Sequence, residues 1–195
     1  MAQHLNIPPA NDADRRDPAP GELELVRQLV NTIDWEDGSE ELPTPAALRD
    51  WLAQRGLLAP GEPVSEADLR LALEVREALR SLLLAHNGAE ADPEAIDTLN
   101  SAALAGPVLV RFGHDAAGTL APAGSGVPAA LGVLLGIVFR SMSDGSFERL
   151  KACPAHDCMW AFYDQSRNRS KQWCTMEVCG NRAKARSYRE RRRSD

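Results

Sequence analysis

The chain has four cysteines, Cys153, Cys158, Cys174 and Cys179, and all fall in its last quarter. They form two C-x4-C pairs separated by fifteen residues. Paired cysteines on short loops are how proteins present four thiolates to a tetrahedral zinc ion. The x4 spacing sits at the wide end of that pattern. It lets each loop turn and aim backbone N–H groups at the sulfurs. The alternatives are two disulfides or four ordinary reduced thiols. Residues 1–20 are polar and lack the apolar segment of a secretion signal. The chain is therefore expected in a reducing compartment, where a metal is favoured over disulfides. Four thiolates leave no open position for water, so the expected metal is one structural zinc ion per chain. His156 and Asp157, between the first two cysteines, then read as loop residues and not ligands.

Catalytic patterns do not emerge. The four histidines, His4, His86, His114 and His156, fall in no H-E-x-x-H arrangement. There is no G-x-S-x-G and no phosphate-binding glycine loop. The chain is not expected to be an enzyme.

Charge points to a different chemistry. Residues 149–195 hold twelve Lys and Arg against five Asp and Glu, giving +7. Residues 1–148 hold ten against twenty-three, giving −13, and the two sum to the net −6. A basic segment on an acidic body is a mark of polyanion recognition. Arg167, Arg169 and Lys171 fall between the cysteine pairs. Asn181, Arg182, Lys184, Arg186 and Arg189 follow the last cysteine. These eight are the candidate nucleic-acid contacts. Arg182, Arg186, Arg189 and Arg193 step by 4, 3 and 4, which is one helical face. The competing reading is a solvated helix whose arginines offset the acidic body. Asn181 alternatively braces the zinc loop, and Gly180 relieves crowding beside the metal. Trp160, Phe162, Tyr163 and Trp173 supply the core that so small a module needs; stacking on bases is their other use.

The elements that must carry these residues read mainly as helices. Residues 21–35 place Leu25, Val26, Leu29, Val30 and Ile33 at helical spacing. Thr44-Pro45 caps and opens a helix with Leu48, Trp51 and Leu52 on one side. Ser65 to Asp68 resembles a capping box opening a long helix to about His86, stopped by Asn87-Gly88. Asp92-Pro93 starts another, carrying Ile96, Leu99 and Leu104. Residues 108–121 read as a β-hairpin. An apolar helix runs to about Met142, its most apolar part, residues 127–139, too short to span a bilayer. Cys174 and Cys179 lie about 140° apart around an ideal helix. Cys174 should therefore precede a helix and Cys179 lie in its first turn, with Thr175 as N-cap. The expected fold class is mainly α with a small β-hairpin. A disordered leader, residues 1–20, precedes a helical domain, 21–145. A small four-cysteine zinc finger with a basic C-terminal helix, 147–195, follows. Replacing one cysteine should unfold residues beyond about 149 and leave the helical domain folded.

Cys153-x4-Cys158, Asp164-x-Ser166, Trp173-Cys174 and Cys179-Gly180-Asn181-Arg182 together resemble the CGNR zinc-finger family over residues 150–192. Leu29-Val30-Asn31-Thr32, followed by Leu48-x-x-Trp51-Leu52, resembles the opening of the ABATE domain that usually precedes that finger. The resemblance implies a bacterial, stress-linked transcription regulator with the finger as its DNA-binding element. Duplex DNA is the expected partner; RNA or an acidic protein are the alternatives. The helical domain would then bind a small-molecule or protein effector, or form a homodimer. No membrane partner is expected, and the expected location is cytoplasmic, on the nucleoid.

Overall fold

The computed structural model describes residues 5–8 and 17–194, with the side chains of residues 186–188, 190, 193 and 194 outside that description. The expected disordered leader falls mostly outside the described residues. Its described parts are docked. The Asn6 amide N–H donates to Arg55 O at 3.0 Å, its Nδ2 donates to Gln54 O at 2.9 Å, and Pro8 O accepts from Gln28 Nε2 at 3.2 Å.

Helix α1 (Leu23–Val30) is buried along its whole length. It carries Glu24 and Arg27 into the interior as a 2.5 Å ion pair, and Glu24 Oε2 also accepts the Ala19 N–H at 2.7 Å. Those bonds offset the desolvation of two buried charges. The helix ends at Asn31, short of the expected residue 35, because Ile33 pairs with Glu40 in an isolated bridge and Asn31 turns its amide elsewhere.

Local capping chemistry sets the next three helices. Helix α2 (Pro45–Gln54) opens with Thr44 Oγ1 accepting the Ala47 N–H at 3.2 Å and proline in its first turn. Helix α3 (Glu66–Ala85) opens with a reciprocal box between Ser65 and Asp68. Just beyond its end, Gly88 takes φ +100°, a conformation that favours glycine. Helix α4 (Pro93–Ala105) is capped by Asp92. Of the apolar residues it carries, Leu104 is 83 % exposed and Leu99 packs partly buried on the core; the residues α4 buries fully are the small Ala95 and Ala102. Small residues there permit close packing. A Cβ built on Gly106 would stand 1.8 Å from Pro128 O.

Strands β1 (Val108–Phe112) and β2 (Gly118–Pro122) form the expected antiparallel hairpin, in register from Val108↔Pro122 to Phe112↔Gly118. Helix α5 (Gly126–Ser143) follows. It is longer than its apolar centre suggested, and by length and composition alone it could cross a membrane. Its inner residues, Ala130, Leu131, Leu134 and Ile137, sit in the main core against α1 and α3. That is the position of a core helix.

A single turn, Phe147–Arg149, leads into a second antiparallel hairpin, β3 (Leu150–Ala152) with β4 (Ala161–Tyr163). A wide turn, Met176–Gly180, then runs into α6 (Asn181–Ser194). The architecture is mainly α with two small hairpins and a C-terminal four-cysteine cluster. Phe147, Leu150, Ala152 and Ala161 are buried in the same core as α1, α3 and α5. A second cluster holds the four cysteines with Ala155 and Phe162, and Trp160 and Trp173 pack against it.

Candidate metal centre

Each cysteine sits at the end of a short, hydrogen-bonded segment. Cys153 follows β3, and its N–H donates to Trp160 O at 3.0 Å. The chain then folds so that the Cys158 and Met159 N–H groups both reach Ala155 O, at 2.9 and 3.0 Å. Met159 takes φ +48° to close this turn, a left-handed conformation that costs a non-glycine residue about 1 kcal/mol. Backbone groups bond two of the sulfurs, Cys174 and Ala155 at Cys153 and Trp160 at Cys158, and of these only Ala155 lies inside a C-x4-C loop. Cys174 precedes the helix and Cys179 lies in the wide turn that opens it, where Gly180 N–H donates five residues back to Thr175 O at 3.1 Å. Thr175 occupies the N-cap, but its hydroxyl caps nothing and is buried without a partner.

The four Sγ atoms lie within 4.8 Å of one another and all four residues are buried. Cys158 and Cys174 sulfurs are 3.5 Å apart, and Cys174 and Cys179 are 3.6 Å apart. A disulfide needs about 2.05 Å, so these are free thiols. Sulfurs at about 2.3 Å from a tetrahedral zinc ion stand about 3.8 Å from each other. The donor set and spacing fit one structural zinc. Electrostatics give the same reason for a cation. Hydrogen bonds from Cys158 and Cys174 hold the Cys153 thiol down to about 2. The contact with Cys153 in turn pushes Cys158 up and Cys174 up to about 12; burial, then the Cys153 charge, raises Cys179. Four thiolates this close need positive charge among them.

His156 is 77 % exposed, in the outer loop beside Asp157, and is not a ligand here. Phe162 is fully buried, and Trp160 and Trp173 are half-buried on the cysteine cluster, so packing occupies these aromatics. Gly180 relieves crowding, as expected, but from side chains: a Cβ there would meet Met176 Sδ at 2.3 Å and Trp173 Cδ1 at 3.3 Å.

The loop between the cysteine pairs is fixed by a buried ionic knot. Asp164 is fully buried and accepts from Lys151 Nζ at 2.7 Å, Ser166 Oγ at 2.6 Å and the Lys171 N–H at 3.0 Å. Lys151 Nζ also donates to Arg169 O and Lys171 O, at 2.7 and 3.0 Å. Burial alone would raise the Asp164 carboxyl, but Lys151 and Ser166 outweigh it and hold the group down to about 2.

The helical body grips the segments that carry Cys153, Cys158 and Cys174. Asn31 makes two bonds to Ala161, its Nδ2 to the carbonyl at 2.9 Å and its Oδ1 from the N–H at 2.8 Å. Arg80 reaches from α3 to Met159 O at 2.8 Å and to Val30 O at 2.6 Å. Asn87 donates to Ala152 O at 2.8 Å and Gln172 O at 2.6 Å, and His86 Nδ1 lies 2.8 Å from Leu150 O. Residues 152 and 159 adjoin Cys153 and Cys158, and residue 172 lies two before Cys174. In the sequence Arg80 has no assigned role, Asn87 reads only as a helix stop and Asn31 only as part of a family pattern. The available signal was a buried-face arginine: Arg76 and Arg80 interrupt the apolar stripe of α3.

The eight candidate nucleic-acid contacts fall into two groups. Arg169 donates to Glu148 at 2.8 Å, Lys171 pairs with Asp17, and Arg182 pairs with Glu36 at 2.6 Å and approaches Asp157 at 3.8 Å. All three are thus held by acidic groups. Arg167 and Lys184 are exposed. Asn181 Nδ2 donates to Glu177 O at 3.0 Å, in the turn that carries Cys179, and Arg189 Nε to Ala185 O at 3.2 Å within α6. Arg186 belongs to α6, but its side chain lies outside the described residues.

Two family profiles match the chain in tandem. One, the ABATE family, described as "Putative stress-induced transcription regulator", matches residues 23–144. The other, the CGNR zinc finger, matches residues 149–192. Neither is an enzyme family. No curated protein matches the chain. The first match spans more than half of the sequence and the second covers all four buried cysteines, so the chain belongs to the ABATE family and carries a CGNR zinc finger at its C-terminal end.

Proposed function

We propose that this chain is a cytoplasmic, nucleoid-associated transcription regulator without enzymatic activity. It binds duplex DNA through the outer face of the finger and α6. The observation that carries this reading is one helix: α6 leaves the cysteine cluster directly at Cys179 and is dominated by arginine. A structural zinc fixes the root of that helix, and its cations neutralise phosphates with release of condensed counterions. The contacts proposed are Arg167, Lys184, Arg186 and Arg189, with Asn181, Arg169, Lys171 and Arg182 at the margin. The metal side itself is unsuited to phosphate. A cleft of about 230 Å³ there is bordered by Asp34, Glu36 and three of the cysteines. A zinc ion with four thiolates adds two negative charges.

The ion pairs of Arg182 and Lys171 support a role for the body in that binding. The acidic body competes with DNA for the same cations, so a ligand or partner that shifts the body changes what the finger offers. The body is proposed as the sensor or the dimerisation module, answering stress through an effector. Fluorescence anisotropy with zinc-loaded full chain should show salt-sensitive binding to duplex DNA and weaker binding to single-stranded DNA and to RNA hairpins. A preference for RNA would replace DNA as the partner. Absence of binding to all three would leave the finger as a protein-docking module.

A further inference from the structure

A cavity of about 470 Å³ lies between the β1–β2 hairpin, α5 and the start of α1. That volume is within the range of small-molecule sites, about 300–1,000 Å³. Its wall is mixed, with Val108, Phe112, Leu120 and Val133 forming the apolar part. The hairpin side is incompletely covered by protein, since Phe112 is 79 % exposed. An aromatic side chain left in water at a cavity rim is an unsatisfied apolar surface.

Four charged residues border the cavity: Glu22, Arg111, Asp115 and Arg140. Three are committed. Arg140 pairs with Glu22, and Asp115 Oδ1 accepts the Ala117 N–H at 3.1 Å within the hairpin turn. Among the described residues, the Arg111 guanidinium has no hydrogen-bond or ion-pair partner. One uncommitted cation on a partly apolar cavity is complementary to one anionic group on an apolar body.

We propose that this cavity binds a small organic carboxylate with an aromatic or comparably bulky apolar body. Arg111 takes the carboxylate, and Phe112 and Leu120 cover the apolar part. The inference names an effector class for the sensor role and rests on that reading only for its consequence, not for binding. The route to the finger is short. Glu22 adjoins α1, whose far end carries Asn31 onto Ala161, and α5 runs directly into Phe147 and β3.

The test uses zinc-loaded full chain, isothermal titration calorimetry and three probes with one apolar body: 4-phenylbutyrate, 4-phenylbutan-1-ol and 4-phenylbutylamine. The site predicts saturable binding of the carboxylate at one per chain. It predicts about tenfold weaker binding of the alcohol and none of the amine. Arg111→Gln should weaken the carboxylate about tenfold and leave the alcohol unchanged, while Phe112→Ala should weaken both. Both side chains are exposed, so circular dichroism should show an unchanged fold. Absence of saturable carboxylate binding at millimolar concentration, equal binding of all three probes, or an Arg111→Gln variant that binds normally would overturn the proposal. Binding without any change in DNA affinity would keep the site and contradict the sensor reading.

Discussion

Arg80 does what no residue of the finger can do for itself: it satisfies carbonyls of two distant segments from a third. Its side chain is almost fully buried, and burial pulls its pKa down while Glu77 opposes the shift. Arg80→Met keeps the stem but leaves Val30 O and Met159 O without their donor. Each buried orphan costs about 1–3 kcal/mol, so the variant should lose about 2–4 kcal/mol in urea unfolding of the zinc-loaded chain. A loss under 1 kcal/mol would show that water replaces the guanidinium. Asp164 gives a second residue-scale prediction, in pH. Its folded carboxyl is held at about 2, below the ordinary value near 3.9, so its contribution is fully present above about pH 5 and fades as pH falls toward 2. Asp164→Asn removes that charge and leaves the Lys151 ammonium buried. The wild-type advantage over Asp164→Asn should therefore be constant from about pH 5 to 8 and shrink below about pH 4. An advantage that grows on acidification would reverse the assignment.

Two glycines one helical turn apart on α5 make opposite predictions at the scale of elements. A Cβ on Gly132 would stand 1.8 Å from Gly106 O, backbone that cannot step aside. Gly132→Ala should lower stability by about 2–3 kcal/mol although alanine is the better helix former. A Cβ on Gly136 meets Leu120 and Val108 at 3.5 and 3.8 Å, ordinary contact. Gly136→Ala should be neutral or gain up to about 1 kcal/mol. Thermal melts of the two variants decide it; similar melting temperatures would contradict the α4–α5 crossing. The G-x-x-x-G spacing was visible in the sequence, but which glycine mattered was not. The same contrast runs through the fold. Thr44, Ser65 and Asp92 cap helices within three residues of themselves, so the starts of α2, α3 and α4 were legible. The cysteines were legible because thiolate chemistry fixes their spacing. The β3–β4 hairpin is held from outside: Asn31 bonds a strand 130 residues away and Arg80 a loop 79 residues away. Neither side chain announces so distant a partner. Leu104 shows the same limit, since helical spacing names a face but not which face has a neighbour.

At the scale of the whole molecule, finger and body share one core. Phe147, Leu150, Ala152 and Ala161 are buried with α1, α3 and α5. The cysteines alone suggested a finger that unfolds by itself. The shared core argues for coupling instead: metal binding is folding free energy for the finger, and the body loses packing when the finger goes. Chelation of zinc should lower the melting temperature of the whole chain in a single transition, read at once by far-ultraviolet dichroism and tryptophan fluorescence. A body that melts at an unchanged temperature would show two independent units. The central claim is that a zinc-fixed arginine helix, and not the body, meets DNA. Its most direct test is the salt dependence of duplex-DNA affinity for zinc-loaded full chain against a Lys184→Ala, Arg186→Ala, Arg189→Ala triple variant. If each cation meets one phosphate, the log–log slope of affinity against salt should be shallower by about 3 in the variant, with a large loss of affinity at low salt. An unchanged slope and affinity in the variant, or binding indifferent to salt, would contradict the account.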